Sequence, residues 1–151
     1  MRLARFLLVS LLLGFCGCAA NGPLFQDAPK PSDPNAVVLY AYRVGSPFVA
    51  VRMRINGEEA AKLDTSFTWF ALEEGIYEFR MKVPALVDPL MSLKFEEEFV
   101  KAESPYYMRI VTSGNHISSE LVTYAQAMNE LTTRRYIEPT KVSFKAKMKV
   151  D

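Results

Sequence analysis

The sequence predicts an all-β fold. It is a two-sheet sandwich of about seven to eight short antiparallel strands, with one short helix near residues 124–134. Three observations predict it. Two stretches alternate cleanly: Val49, Val51, Met53 and Ile55 against Ala50, Arg52 and Arg54, then Tyr77, Phe79, Met81 and Val83 against Glu78, Arg80 and Lys82. Side chains alternate across a strand, so a period of two is what a half-buried sheet requires. Turn residues separate the apolar runs at short, even spacing. A single stretch, after Thr123, changes to helical spacing.

The elements follow in order from Ala36. Residues 37–43 are apolar on both faces, which suits a strand covered on both sides. Gly45 and Pro47 punctuate it. Strand 48–55 ends at Asn56-Gly57, the strongest short hairpin signal, because a type I′ turn needs positive φ at both positions. A two-residue loop pairs Arg54 with Glu59 on the outer face. It also turns Lys62 inward, which predicts a bulge or an early strand end in 58–63. Residues 67–72 form a dense aromatic strand, and Glu73-Glu-Gly75 turns into strand 76–83. After a loop from Pro84 to Pro89 come strands 93–99, 106–112 and 117–122, with Glu97 interrupting the apolar face of the first. Thr123 and Gln126 form a capping box, and Tyr124, Ala127, Met128 and Leu131 then share one side of a helix. Finally Val142, Phe144, Ala146, Met148 and Val150 alternate with Ser143, Lys145, Lys147 and Lys149. This predicts a terminal strand with a lysine-rich outer face, a usual guard on a sheet edge. The alternative is that Lys141 and these lysines approach anionic lipid head groups.

The start of the chain is an address. A basic beginning, Met1-Arg-Leu-Ala-Arg5, precedes an apolar run, Phe6 to Phe15. The run is far short of the ~20 residues of a membrane-spanning helix, so residues 1–17 are a signal peptide. Phe15-Cys-Gly-Cys18 resembles the lipobox of bacterial lipoproteins, with Phe15 where leucine is usual. That resemblance implies cleavage before Cys18 and a diacylglyceride on its thiol. Cys16 leaves with the signal, so no internal disulfide remains and the apolar core must hold the fold. Ala19, in place of Asp, implies by the same resemblance sorting to the outer membrane. Residues 18–35 carry Pro23, Pro29, Pro31 and Pro34 and are expected to be an extended tether. Near Leu24 and Phe25 a loop packed along the domain is the equal alternative. Residues 36–151 are the sandwich domain.

With 18 Lys and Arg against 17 Asp and Glu, the balance argues against a nucleic-acid partner. One histidine, His116, gives no zinc pair, and no metal or cofactor is expected. There is no Gly-x-Ser-x-Gly elbow and no phosphate loop. Glu96 and Glu98 with Glu73 and Glu74 can offer carboxylates to a cation, but alternation makes them a solvated face. Asp64 with Glu58 or Glu59 can mimic a glycosidase pair, although both flank turns. Trp69 and Phe70 can stack on sugar, with packing in the sandwich core the usual fate of such residues. His116 sits in a Gly-Asn turn as a solvated residue.

Val38-Leu-Tyr-Ala-Tyr-Arg43, Arg54-Ile-Asn-Gly-Glu58, Ala71-Leu-Glu-Glu-Gly-Ile-Tyr-Glu-Phe79 and Tyr106-Tyr-Met-Arg-Ile110 together resemble one family. It is an uncharacterised family of small bacterial lipoproteins with a PEGA-like β-sandwich. The resemblance spans about residues 36–135 and departs at Glu73-Glu-Gly-Ile-Tyr77, where proline and histidine are usual. It implies a fold and no activity. The expectation is a non-enzymatic envelope lipoprotein with its domain in the periplasm, anchored to the membrane at Cys18. It would bind or scaffold a protein or envelope polymer. The alternatives are an envelope hydrolase, or an inhibitor or accessory of a secretion or cell-wall machine.

Overall fold

The computed structural model describes residues 21–47, 49–84 and 91–149. Nine strands and one α-helix follow one another: β1 (Val37–Gly45), β2 (Val51–Ile55), β3 (Glu58–Leu63), β4 (Phe67–Leu72), β5 (Gly75–Lys82), β6 (Ser92–Phe99), β7 (Tyr106–Ser113), β8 (His116–Val122), α1 (Tyr124–Leu131) and β9 (Ser143–Phe144). They build a five-stranded sheet in the order β8-β7-β1-β4-β9 and a four-stranded sheet in the order β3-β2-β5-β6. The all-β, two-sheet expectation holds. Two details differ from it. The described residues form nine strands, and β1–β7 and β4–β9 pair in parallel. The parallel neighbours are far apart in the sequence, so no local turn signal announces them.

The inner faces of both sheets meet in one core. Leu39, Phe70 and Ile110 come from one sheet, and Met53, Leu63 and Phe79 from the other. The β2–β3 hairpin turns at Asn56 (φ 51°) and Gly57 (φ 84°), as a type I′ turn requires. Arg54 pairs with Glu59, then the register shifts, so that Met53 pairs with Ala61 and Arg52 with Lys62. The extra residue is Ala60. This bulge keeps Lys62 in solvent and returns Leu63 to the core.

A second, smaller core lies on the outer face of the five-stranded sheet. Tyr42, Phe67, Trp69 and Tyr107 project outward there and are covered by Ala127 and Leu131 of α1, and by Ala28 and Tyr136. This is why β1 is apolar on both faces. Trp69 therefore packs outside the sandwich core, against the N-terminal segment, and its indole N–H donates to Pro29 O at 2.8 Å. That segment is a strap. Tyr136 N–H donates to Pro23 O at 2.8 Å, and the ring of Phe25 sits 5.5 Å from Tyr40 and 5.3 Å from Phe67.

α1 begins where the capping box places it, with Gln126 N–H donating to Thr123 Oγ1 at 3.4 Å, but it ends at Leu131. Tyr124 does not join the buried side; it is 62% exposed. The continuous lysine-edged strand over 142–150 is also absent as such among the described residues. Only Ser143 and Phe144 pair with β4. The chain then leaves that sheet and bridges to the other one, where Ile76 N–H donates to Met148 O and Lys147 N–H to Ile76 O, each at 2.9 Å. The alternation does not survive as one buried face: Phe144 is buried, while Met148 is 51% exposed. Gly75 (φ 144°) marks the crossing, because a Cβ there would collide with Ala146 Cβ and Met148 O.

Candidate functional site

The residues that stood out as a motif are framework residues. Tyr40 stacks on Tyr107 with centroids 5.5 Å apart. The Tyr42 hydroxyl donates to Glu130 Oε2 at 2.7 Å, and Arg109 Nε donates to the same carboxylate at 3.0 and 3.1 Å. Burial pushes the Glu130 carboxyl up, but the Tyr42 and Arg109 hydrogen bonds outweigh it and leave the pKa lowered. Burial, and then the Glu130 bond, push Tyr42 well above the usual phenol range. Arg43 points the other way and is wholly buried at one end of the sandwich. Its guanidinium donates to Thr112 Oγ1 and Ser46 O, each at 2.7 Å, and to Asp64 O. Burial lowers its pKa, and the charge of Asp64 opposes that. The Tyr77 hydroxyl donates to Glu73 O at 2.9 Å and Phe144 O at 3.0 Å, and burial pushes its pKa up to about 12.

Open concavities lie elsewhere. One is a groove of about 650 Å³ between the strap and the C-terminal arm. Pro31, Asp33 and Asn35 form one bank, and Lys141, Ser143 and Lys145 the other. Trp69 and Ala71, from the outer face of β4, lie between them, and Asn56, Glu58 and Glu73 also line the groove. The volume is that of a small-ligand site or of a few residues of an extended chain. A second cleft of about 360 Å³ lies between β6 and β8, the free edges of the two sheets. Glu97 faces inward there, opposite Tyr77 in register, and burial raises its carboxyl. The Ser119 hydroxyl in the same cleft is buried and has no hydrogen-bond partner.

The residues singled out in the sequence are distributed as follows. Cys18 and residues 1–17, the expected signal peptide, lie outside the described residues. His116 closes the β7–β8 hairpin opposite Ser113, is exposed, and lines the cleft with Glu97. Glu96 pairs with Lys147 at 2.8 Å, and Glu74 accepts from Lys101 N–H at 2.6 Å, so neither turns toward a shared cation. No group of three His, Cys, Asp or Glu among the described residues could hold a metal ion. Asp64 stands at the Arg43 end of β3, whereas Glu58 pairs with Lys141 at the hairpin end, so the structure separates that carboxylate pair. Trp69 lines the groove, and Phe70 packs in the core. Sequence reasoning missed the groove because its banks come from the two ends of the chain. It missed the cleft although Glu97 broke the apolar face of its strand, which was the available signal.

The fold and these concavities define a two-sheet β domain with an open groove. No protein-family model, curated protein or solved structure matches the chain. No helix among the described residues is long and apolar enough to cross a membrane.

Proposed function

We propose that this chain is a bacterial envelope lipoprotein, lipidated at Cys18 and held at the outer membrane. Its PEGA-like sandwich then works in the periplasm as a non-catalytic binding or scaffolding module. The observation that carries the reading is the division of labour among its polar side chains. Tyr42, Arg43, Tyr77, Arg109 and Glu130 are committed to holding strands, helix and C-terminal arm together. The groove, by contrast, sets Trp69 and Ala71 between polar banks. Apolar surfaces with polar rims are how proteins hold partners. The signal segment and Cys18 supply the address.

Two experiments test it. Cys18→Ser should release the protein from membranes or leave it unprocessed; normal maturation with wild-type fractionation removes the anchor. A photo-crosslinker at Ser143, in the groove, should capture an envelope component in intact cells, whereas one at Glu98, on the opposite sheet, should not capture the same component. Equal capture from both positions removes the groove as the binding surface.

A further inference from the structure

The outer face of the four-stranded sheet is strongly segregated in charge. Lys62, Arg52 and Lys82 stand side by side in register across β3, β2 and β5, three cations in one row. The next row sets Arg54 beside Arg80 and Arg80 beside Lys94, with Glu59 at its end. Adjacent strands lie about 4.8 Å apart, so each row runs roughly 10–15 Å. Like charges directly opposite one another destabilise a sheet. Arg80 and Lys94 are relieved by Glu78, at 2.6 and 3.0 Å. Arg52, Arg54, Lys62 and Lys82 are exposed and form no ion pair among the described residues. The chain as a whole is close to neutral, so this is a local concentration rather than a general excess.

We propose that this face docks an extended polyanionic chain, its charges laid along the Lys62-Arg52-Lys82 row and its neighbour Arg54. Two arginines among the four favour phosphate or carboxylate groups, which guanidinium forks match in a bidentate way. The occupant is a polymer rather than the anchoring bilayer, a distinction that rests on the lipid anchor proposed above. The strap that leads back toward Cys18 lies on the outer face of the five-stranded sheet, at Tyr40, Phe67 and Tyr136. The cationic rows are on the opposite side of the molecule. Residues 18–22 reach at most about 14 Å when extended, too little to carry the chain around a two-layer domain whose sheets alone stand about 10 Å apart.

The test uses the full chain, titrated with inorganic polyphosphate at low and moderate salt. Wild type should bind, and added salt should weaken binding steeply, because displaced counterions are part of the driving force. Arg52→Gln with Lys82→Gln should weaken binding at least tenfold. Lys30→Gln with Lys101→Gln, which removes the same charge away from the two rows, should leave it unchanged. All four positions are exposed, so the variants should keep the wild-type melting midpoint. Absence of binding at low salt, or equal binding by the Arg52/Lys82 variant, overturns the proposal. So does binding to phosphatidylglycerol vesicles that depends on Arg52 and Lys82 when polyphosphate binding does not. Cys18→Ser should bind polyphosphate as wild type does, so a failed anchor and a failed face give different results.

Discussion

Asn56 and Lys145, 89 residues apart in sequence, meet at the hairpin end of the domain: the Asn56 side-chain amide donates to Lys145 O at 2.9 Å. The same side chain accepts from Glu78 N–H at 2.8 Å, and Asn56 N–H donates to Glu78 O at 2.8 Å. The turn residue is thus also a clip between β2, β5 and the C-terminal arm. Asn56→Gly keeps the positive φ the hairpin needs but loses both side-chain bonds. It should cost about 1–3 kcal/mol, at about 0.5–1.5 kcal/mol per hydrogen bond. Urea denaturation measures this, and amide exchange at Lys147 should speed up with it. An unchanged midpoint would show the clip carries no weight.

Tyr42→Phe keeps the buried ring and removes the hydroxyl that holds Glu130. Arg109→Ala removes the other support, leaving a largely enclosed carboxylate with one neutral donor. The second change should therefore destabilise more than the first, which should cost about 1–2 kcal/mol. The two effects should be non-additive, because both act on one carboxylate. A double-mutant cycle with zero coupling would contradict the network.

Acid should weaken the fold. Hydrogen bonds from Arg80 and Lys94 hold the Glu78 carboxyl at about 2, and Glu130 is also lowered. A carboxyl whose folded pKa lies below its unfolded value adds stability that is complete above the unfolded value. That stability drains away as pH falls through the folded one. For Glu78 the window runs from 4.5 down to about 2. Glu78→Gln should flatten the melting temperature over that window relative to wild type.

Phe79 is fully buried and stacks on Phe95 with centroids 5.2 Å apart. Phe79→Ala should cost roughly 3–5 kcal/mol. Trp69→Phe should be milder, because the ring stays and the bond to Pro29 O goes. Its distinct signature should be faster proteolysis of the strap near residues 24–29, with little change in the core transition.

Deleting residues 143–151 should also destabilise strongly, because Phe144 is buried against Phe70 with centroids 5.7 Å apart. A truncated domain that melts unchanged would return the terminal lysines to a lipid-facing role. Two of them are already engaged in the structure, Lys141 with Glu58 and Lys147 with Glu96 and Glu78.

The strands were legible because half-buried sheets impose a period of two, and the Asn56-Gly57 hairpin and the bulge at Ala60 followed from local chemistry. Parallel pairing of β1 with β7 was not legible, since nothing local encodes which distant strand lies alongside. Trp69 was misplaced because an alternating aromatic strand does not say which of its faces meets the second sheet. The terminal alternation from Val142 was misread as one strand because the arm changes sheets after Phe144. Of the candidate sites, the cationic rows were present as Arg52, Arg54, Lys62 and Lys82 in the sequence. Only the register of β3, β2 and β5 brings them together.

The stitching by the C-terminal arm has a consequence for timing. Every other strand precedes residues 143–149 in the chain, so the hairpins of both sheets are made before the segment that fastens β4 to β5. The hairpins can pair as they are made, but the seam between the sheets is sewn after them, so closure follows strand formation rather than guiding it.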